Sequence, residues 1–141
     1  MGGKAKLVNN MITGISMIAT SEAFLTGLKA GLSMDTITEV VGTSSGNTWV
    51  LQNHFPNTVL KNQHEPGFML DLMYKDIGLA LALADDVGVP VPVAGLVRQV
   101  YQGGRTAGLG RKDFSVVWEH MAKAAGMCQP ALRSDDTEDS L

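Results

Sequence analysis

A single cysteine, Cys128, stands in 141 residues, so the chain can form no internal disulfide and no cysteine-based zinc site. Charge is scarce as well, at 18% of residues, and the body shows no bias of sign. Residues 1–128 carry ten basic and ten acidic side chains, while the thirteen residues from Gln129 carry one Arg against four acids. A neutral body lacks the electrostatic footprint that nucleic acid or an anionic membrane surface requires, and neither is an expected partner. Three histidines, His54, His64 and His120, are too widely spaced for a short ligand motif, and no metal is expected. No run of ~18 apolar residues suggests a bilayer span, and the N-terminus lacks the cationic segment and long apolar stretch of a secretory signal. A soluble, cytoplasmic protein is the expectation.

Strand signals are also nearly absent. Alternation of apolar and polar residues is hard to find, and neither Asn-Gly nor Asp-Gly occurs as a hairpin turn. What the chain has instead is 45% apolar residues at helical spacing. From about Lys4 to Ala30, Leu7, Met11, Ile15, Ile18 and Phe24–Leu25 recur at steps of three and four, with Gly27 and Gly31 toward the end. Ser33 is a suitable N-cap for a short helix through Ile37, Val40 and Val41. Pro56 breaks or restarts the helical stretch around Trp49, Val50 and Leu51. Phe68 to Val87 reads as a second long helix with Leu72, Leu79 and Leu83 on its apolar side, and Val93 to Thr106 as another. Asp113 or Ser115 caps a last one through Val117, Trp118 and Met121. The predicted fold is an all-α bundle around two long helices, forming one domain over residues 1–127. An acidic tail over 128–141 cannot bury apolar surface.

Two places are candidates for chemistry. Lys6 and Asn10 lie four residues apart and share a helix face that continues through Thr13, Gly14, Met17 and Ser21. A lysine in a first helical turn faces the positive end of the dipole, where its proton is loosened, a condition suited to acid–base work. On spacing alone, however, it reads more readily as an ordinary solvated lysine near a frayed helix end. The second place is Phe68-Met69-Leu70-Asp71-Leu72-Met73-Tyr74-Lys75-Asp76. There Asp71 and Lys75 are spaced for a surface ion pair, and Phe68 for a core anchor.

These blocks resemble the C-terminal domain of the β-hydroxyacid dehydrogenases, the family of 3-hydroxyisobutyrate dehydrogenase and tartronate semialdehyde reductase, related in fold to 6-phosphogluconate dehydrogenase. Gly2-x-x-x-Lys6-x-x-x-Asn10 matches most of that family's Gly-x-Gly-x-x-x-Lys-x-x-x-Asn pattern. Phe68…Lys75-Asp76 followed by Gly78-Leu79-Ala80, and Asp113-Phe114-Ser115, resemble its later blocks. The resemblance covers roughly residues 2–125. It implies an oxidoreductase interconverting a small β-hydroxyacid and its semialdehyde with NAD or NADP. In that reading Lys6 is the catalytic acid–base and Asn10 holds the substrate. Phe68 and Asp76 help form the active-site wall, and Lys75 faces the nicotinamide cofactor.

The same resemblance implies a Rossmann domain with a Gly-rich turn after its first strand, and nothing in these residues reads as one. Gly103-Gly104 and Gly108-x-Gly110 lack a preceding strand. The expectation is therefore a piece of such an enzyme, or a stand-alone copy, that is inactive alone and forms a homo-oligomer through apolar surface left uncovered. The alternative is a non-catalytic helical oligomerisation or binding module derived from such an enzyme.

Overall fold

The computed structural model describes residues 2–127; the acidic tail expected over 128–141, Cys128 included, lies outside them. The fold is all-helical, as predicted. Its elements are α1 (Gly2–Lys29), α2 (Met34–Gly42), α3 (Leu70–Val87), α4 (Pro92–Thr106) and α5 (Val117–Ala124). A π-helical turn, Val50–His54, runs into a 3-10 turn, Phe55–Asn57, and another 3-10 turn, Phe114–Val116, leads into α5. No strand occurs among the described residues, where one isolated antiparallel bridge joins Met69 to Asp113.

The two long helices end alike. After α1, Gly31 takes φ 101°, its N–H bonds to the Leu28 carbonyl, and the Leu32 N–H bonds to that of Gly27, both at 3.0 Å. After α3, Gly88 takes φ 76°, and the Val89 N–H reaches the Ala84 carbonyl at 2.9 Å. A left-handed glycine with these crossed bonds satisfies the last carbonyls and turns the chain sharply. Between these ends, Ser33 caps α2 as expected, its Oγ accepting from the Thr36 N–H at 3.1 Å.

α1 crosses the bundle at Gly14. A Cβ there would stand 2.8 Å from Ile77 Cδ1 and 2.9 Å from Met73 Sδ, so any side chain at this position must displace those two side-chain ends or hold α1 farther from α3. The buried Tyr101 of α4 donates its hydroxyl to the Gly14 carbonyl at 2.8 Å. Burial pushes the Tyr101 phenol well above its ordinary range, which keeps it protonated and a donor. Below this crossing, Met17, Ile18, Phe24 and Leu25 enter the core. Phe24 meets Phe55 edge-on at 5.3 Å, and Phe55 meets Trp118 at 6.0 Å, so the turn around Pro56 is seated in the core by its aromatic ring. Above the crossing α1 is only partly covered, with Val8 and Ile12 more than half exposed.

Three expectations need correction. The buried face of α3 is Leu70, Met73, Ile77, Ala80 and Ala84, whereas Leu72 and Leu79 are exposed. The helix is apolar on two nearly opposite faces, since two residues advance about 200°, and the gap over Gly14 selects the face carrying Met73 and Ile77. Asp71 pairs with Arg105 across the α3–α4 interface at 2.9 Å rather than with Lys75. Finally, α1 is long and apolar enough to cross a membrane by length and composition, although it holds no uninterrupted apolar run of that length; part of its apolar surface, Met17, Ile18, Phe24 and Leu25, packs in the core.

The Gly14 crossing makes a graded prediction. Tyr101→Phe, which leaves the carbonyl without its donor, should cost about 1 kcal/mol. Gly14→Leu, which forces α1 off α3, should cost about 2–3 kcal/mol. Urea unfolding of the two variants should rank them in that order, and the reverse order would refute the crossing as the tighter constraint.

Candidate active site

A cleft of about 790 Å³ opens beside the free upper half of α1. α1 contributes Asn9, Asn10, Ile12, Thr13 and Ser16; the π-helical stretch contributes Thr48, Trp49, Val50 and His54; Gly67, Phe68, Met73 and Phe114 complete it. Thr13 and Ser16 follow Asn10 by about one and two turns, so α1 offers a column of short polar side chains to this space.

Of the residues singled out in the sequence, Asn10 and Phe68 line the cleft. Asp76 is tied to Asn10 directly: Asn10 Nδ2 donates to Asp76 Oδ2 at 2.8 Å, a bond between residues 66 apart. Lys6 stands one turn before Asn10 on the same helix and is exposed. α1 is already helical at Gly2, so Lys6 is its fifth residue and lies just past the turn where the dipole acts most strongly. Lys75 is exposed on α3 and is not among the residues lining the cleft.

Sequence reading missed the group that organises the cleft floor. Asp113 was legible as a cap, and it does cap: its carboxylate accepts from the Ser115 N–H at 3.0 Å. It also accepts from the Phe68 N–H at 2.9 Å and from His54 Nε2 at 2.7 Å. Only 1% of Asp113 is exposed. Burial by itself would raise its pKa, but the His54, Phe68 and Ser115 hydrogen bonds outweigh it and hold the carboxyl at about 2. Backbone bonds from Asp71 N–H to the Gly110 carbonyl, Leu70 N–H to that of Lys112 and Phe114 N–H to that of Phe68 zip the two segments together. They bring the Phe68 and Phe114 rings to 6.2 Å, edge to face.

His54 stacks on Phe114 at 4.8 Å and beneath Trp49 at 6.3 Å. With Nε2 committed to the ionised Asp113, that nitrogen carries a proton. Behind the cleft, buried His64 shares a 2.7 Å hydrogen bond between Nδ1 and Ser115 Oγ. Burial pushes its pKa down, with Glu119 and Asp113 acting the other way. No local spacing could have found the His54–Asp113 pair, whose members are 59 residues apart.

Comparison with known proteins bears on this geometry. A family model described as NAD-binding of NADP-dependent 3-hydroxyisobutyrate dehydrogenase matches residues 1–121. The chain is 37% identical over 123 residues to 2-(hydroxymethyl)glutarate dehydrogenase of Eubacterium barkeri, covering 85% of this chain and 41% of that protein. It is 37% identical over 129 residues to the mitochondrial 3-hydroxyisobutyrate dehydrogenase of Drosophila melanogaster, covering 87% and 40%. Among solved structures, a Mycobacterium tuberculosis 3-hydroxyisobutyrate dehydrogenase with L-serine superposes with a TM-score of 0.76 at 31% identity, over 83% of this chain and 42% of that one. The chain thus spans about two fifths of the length of the relatives it matches.

The Asp113 network makes an acid-stability prediction. A carboxyl held at about 2 when folded, against an ordinary 3.8, stabilises the fold above the upper value and loses that contribution as pH falls through the interval. The contribution amounts to about 2 kcal/mol. The stability difference between the wild type and Asp113→Asn should therefore shrink by about that amount from about pH 5 to about pH 2. Urea titrations across that range check it; a difference that does not change with pH would show that the carboxylate is not the stabilising species.

Proposed function

Because this chain belongs to the 3-hydroxyisobutyrate dehydrogenase family, we propose that it is the C-terminal, substrate-facing part of an NAD(P)-dependent oxidoreductase that interconverts a small β-hydroxyacid and its semialdehyde. The observation that carries this reading is the Asn10–Asp76 hydrogen bond at 2.8 Å. It clamps the turn bearing Lys6 and Asn10 to α3, at the rim of a cleft sized for a small metabolite.

In this reading the described residues suit the reacting end of a dinucleotide and not its diphosphate. Gly103 and Gly104 sit inside α4 against His120 and Leu70, and Gly110 lies against the Asp71 carboxylate. None of these glycines offers backbone N–H groups to an anion in the manner of a strand–turn–helix cradle. The diphosphate is then held mainly by a Rossmann unit outside these residues. When bound, the nicotinamide supplies or accepts the hydride.

The chain's own residues do the rest. Lys6 Nζ gives a proton to the substrate carbonyl oxygen during reduction and takes it from the hydroxyl during oxidation. The amide of Asn10, fixed through its Nδ2 by Asp76, holds the substrate. Phe68 excludes water from one side, and Lys75, on the face of α3 beside Asp76, faces the cofactor. The exposed Val8 and Ile12 of α1 support a role for this helix in contacts with a further domain or subunit, and a homo-oligomer is part of the proposal.

Two assays test it together. The purified 141-residue chain should turn over neither NADH nor NADPH with a short semialdehyde, and measurable turnover would overturn the division of labour. Joined to a dinucleotide-binding half of a 3-hydroxyisobutyrate dehydrogenase, it should reduce the semialdehyde, and Lys6→Ala should lower kcat by roughly 10²- to 10⁴-fold. Activity indifferent to Lys6 would favour the non-catalytic helical module instead.

A further inference from the structure

The neutrality of residues 1–128 is an average, and the charge is unevenly spread. Four of their ten basic side chains, Arg98, Arg105, Arg111 and Lys112, belong to the region where α3 meets α4. Tyr74 of α3 has two guanidinium groups against its ring, that of Arg98 at 3.8 Å and that of Arg105 at 4.4 Å from the centroid. Arg105 also bonds Asp71 at 2.9 Å and the Gln102 amide oxygen at 3.0 Å. Arg98 donates its Nε–H to the Tyr74 carbonyl at 3.1 Å and lies against Gly78. The segment bearing Arg111 and Lys112 is bonded to the start of α3, from the Asp71 N–H to the Gly110 carbonyl and from the Leu70 N–H to that of Lys112. Arg105, Arg111 and Lys112 are exposed and Arg98 is half-buried.

Among the described residues Asp71 is the one carboxylate paired with any of these four cations, which leaves a surplus of three positive charges. A guanidinium has five N–H donors, and Arg98 commits one of them. Held against Tyr74, it loses little further freedom when a carboxylate arrives. The same chain carries an opposite surplus of equal size: residues 129–141 hold Asp135, Asp136, Glu138 and Asp139 against Arg133. They follow α5, which packs on α4. His120 of α5 lies against Gly103, and Ala124 and Ala125 line a groove together with Val100. From residue 127 an extended chain reaches about 26 Å by Asp135, roughly twice the diameter of a helix such as α4.

We propose that the acidic stretch 135–139 of the chain's own tail lies across α4 onto this face, its carboxylates against Arg98, Arg105 and Arg111. Exposed ion pairs are weak one at a time. Several on one tethered segment act together, because the tether replaces bulk concentration with an effective one in the millimolar range. The contact needs no apolar burial, which an acidic tail could not supply. It is a strap held by charge, so salt releases it as the screening length falls from about 10 Å at 0.1 M to about 3 Å at 1 M. The tether and the matched charge favour the chain's own tail over that of a second copy. The inference is independent of the cleft and of any substrate.

The test uses the whole 141-residue chain with a nitroxide on Ser140→Cys in a Cys128→Ser background, and NMR of the backbone amide and arginine Nε–H resonances. At low salt the proposal expects loss of signal at Arg98, Arg105 and Arg111, with recovery at about 1 M salt. The signals should also recover at low salt when Asp135, Asp136, Glu138 and Asp139 are replaced by Asn or Gln, changes that leave every described helix untouched. Isotope-labelled chain mixed with nitroxide-bearing, unlabelled chain should show no such loss. Loss in that mixture would give the face to a second copy and overturn the strap. Loss that persists in the neutralised tail, or that centres on Glu22, Lys29 and His120 in the groove between α1 and α5, would overturn the charge contact. Signals unaffected by the nitroxide throughout residues 2–127 would show that the tail does not dock at all.

Discussion

Enclosing the Asp113 carboxylate would by itself cost several kcal/mol, and the chain offsets that cost with donors from three separate stretches: His54 in the π-helical turn, the Phe68 N–H before α3, and the Ser115 N–H at the start of the last 3-10 turn. Each donor belongs to a short turn or connecting segment between the α-helices. The carboxylate therefore acts as the node that loops lack, and the cleft floor exists because these segments share it. Its dependence on ionisation follows directly. A protonated Asp113 accepts fewer bonds, and the segments carrying His54 and Phe68 lose their common anchor together.

The opposite wall is set by a different kind of constraint. α1 is a long rod clamped at one point, where the absence of a side chain at Gly14 lets Met73 and Ile77 close in and lets Tyr101 reach the backbone. Before that point α1 is only partly covered, and the Asn10–Asp76 bond is the one side-chain hydrogen bond between that stretch and α3 among the described residues. A hydrogen bond to a carboxylate is worth about 1.5–3 kcal/mol, enough to bias the lean of the helix over the cleft though not to bury it. Precision in the site thus comes from packing at Gly14 and direction from Asn10.

Local chemistry was readable in the sequence and long-range pairing was not. The helices over Lys4–Ala30 and Phe68–Val87, the Ser33 cap and the Asp113 cap all rest on neighbours within about four residues, and each appears in the structure. The buried side of α3 was misread because Leu72 and Leu79 are as apolar as Leu70 and Ile77, and only the partner across Gly14 distinguishes the two faces. Asp71 could have paired with Lys75 on spacing alone; the fold supplies Arg105, whose guanidinium also stacks 4.4 Å over Tyr74 and so gains a second contact that Lys75 lacks. Asn10 and Phe68 were found through motif resemblance, and they line the cleft. His54 escaped because neither periodicity nor a motif marks it: its meaning arises only when Asp113 is folded against it.

The exposed end of α1 links these observations to chemistry. An amine exchanges its proton most usefully where water is excluded and counter-charges are few, yet Lys6 stands in solvent on a helix whose neighbours Val8 and Ile12 are also uncovered. Covering this stretch would bury apolar surface and dehydrate the amine in one step, so association and activation would draw on the same contacts. The cleft beneath is already furnished: Asn10 is oriented by Asp76, His54 by Asp113, and Phe68 by its N–H bond to that carboxylate. A partner surface arriving on α1 would then have little to rearrange. In the proposed reading the binding groups are held by hydrogen bonds already made within the fold, while the proposed acid–base, Lys6, is exposed.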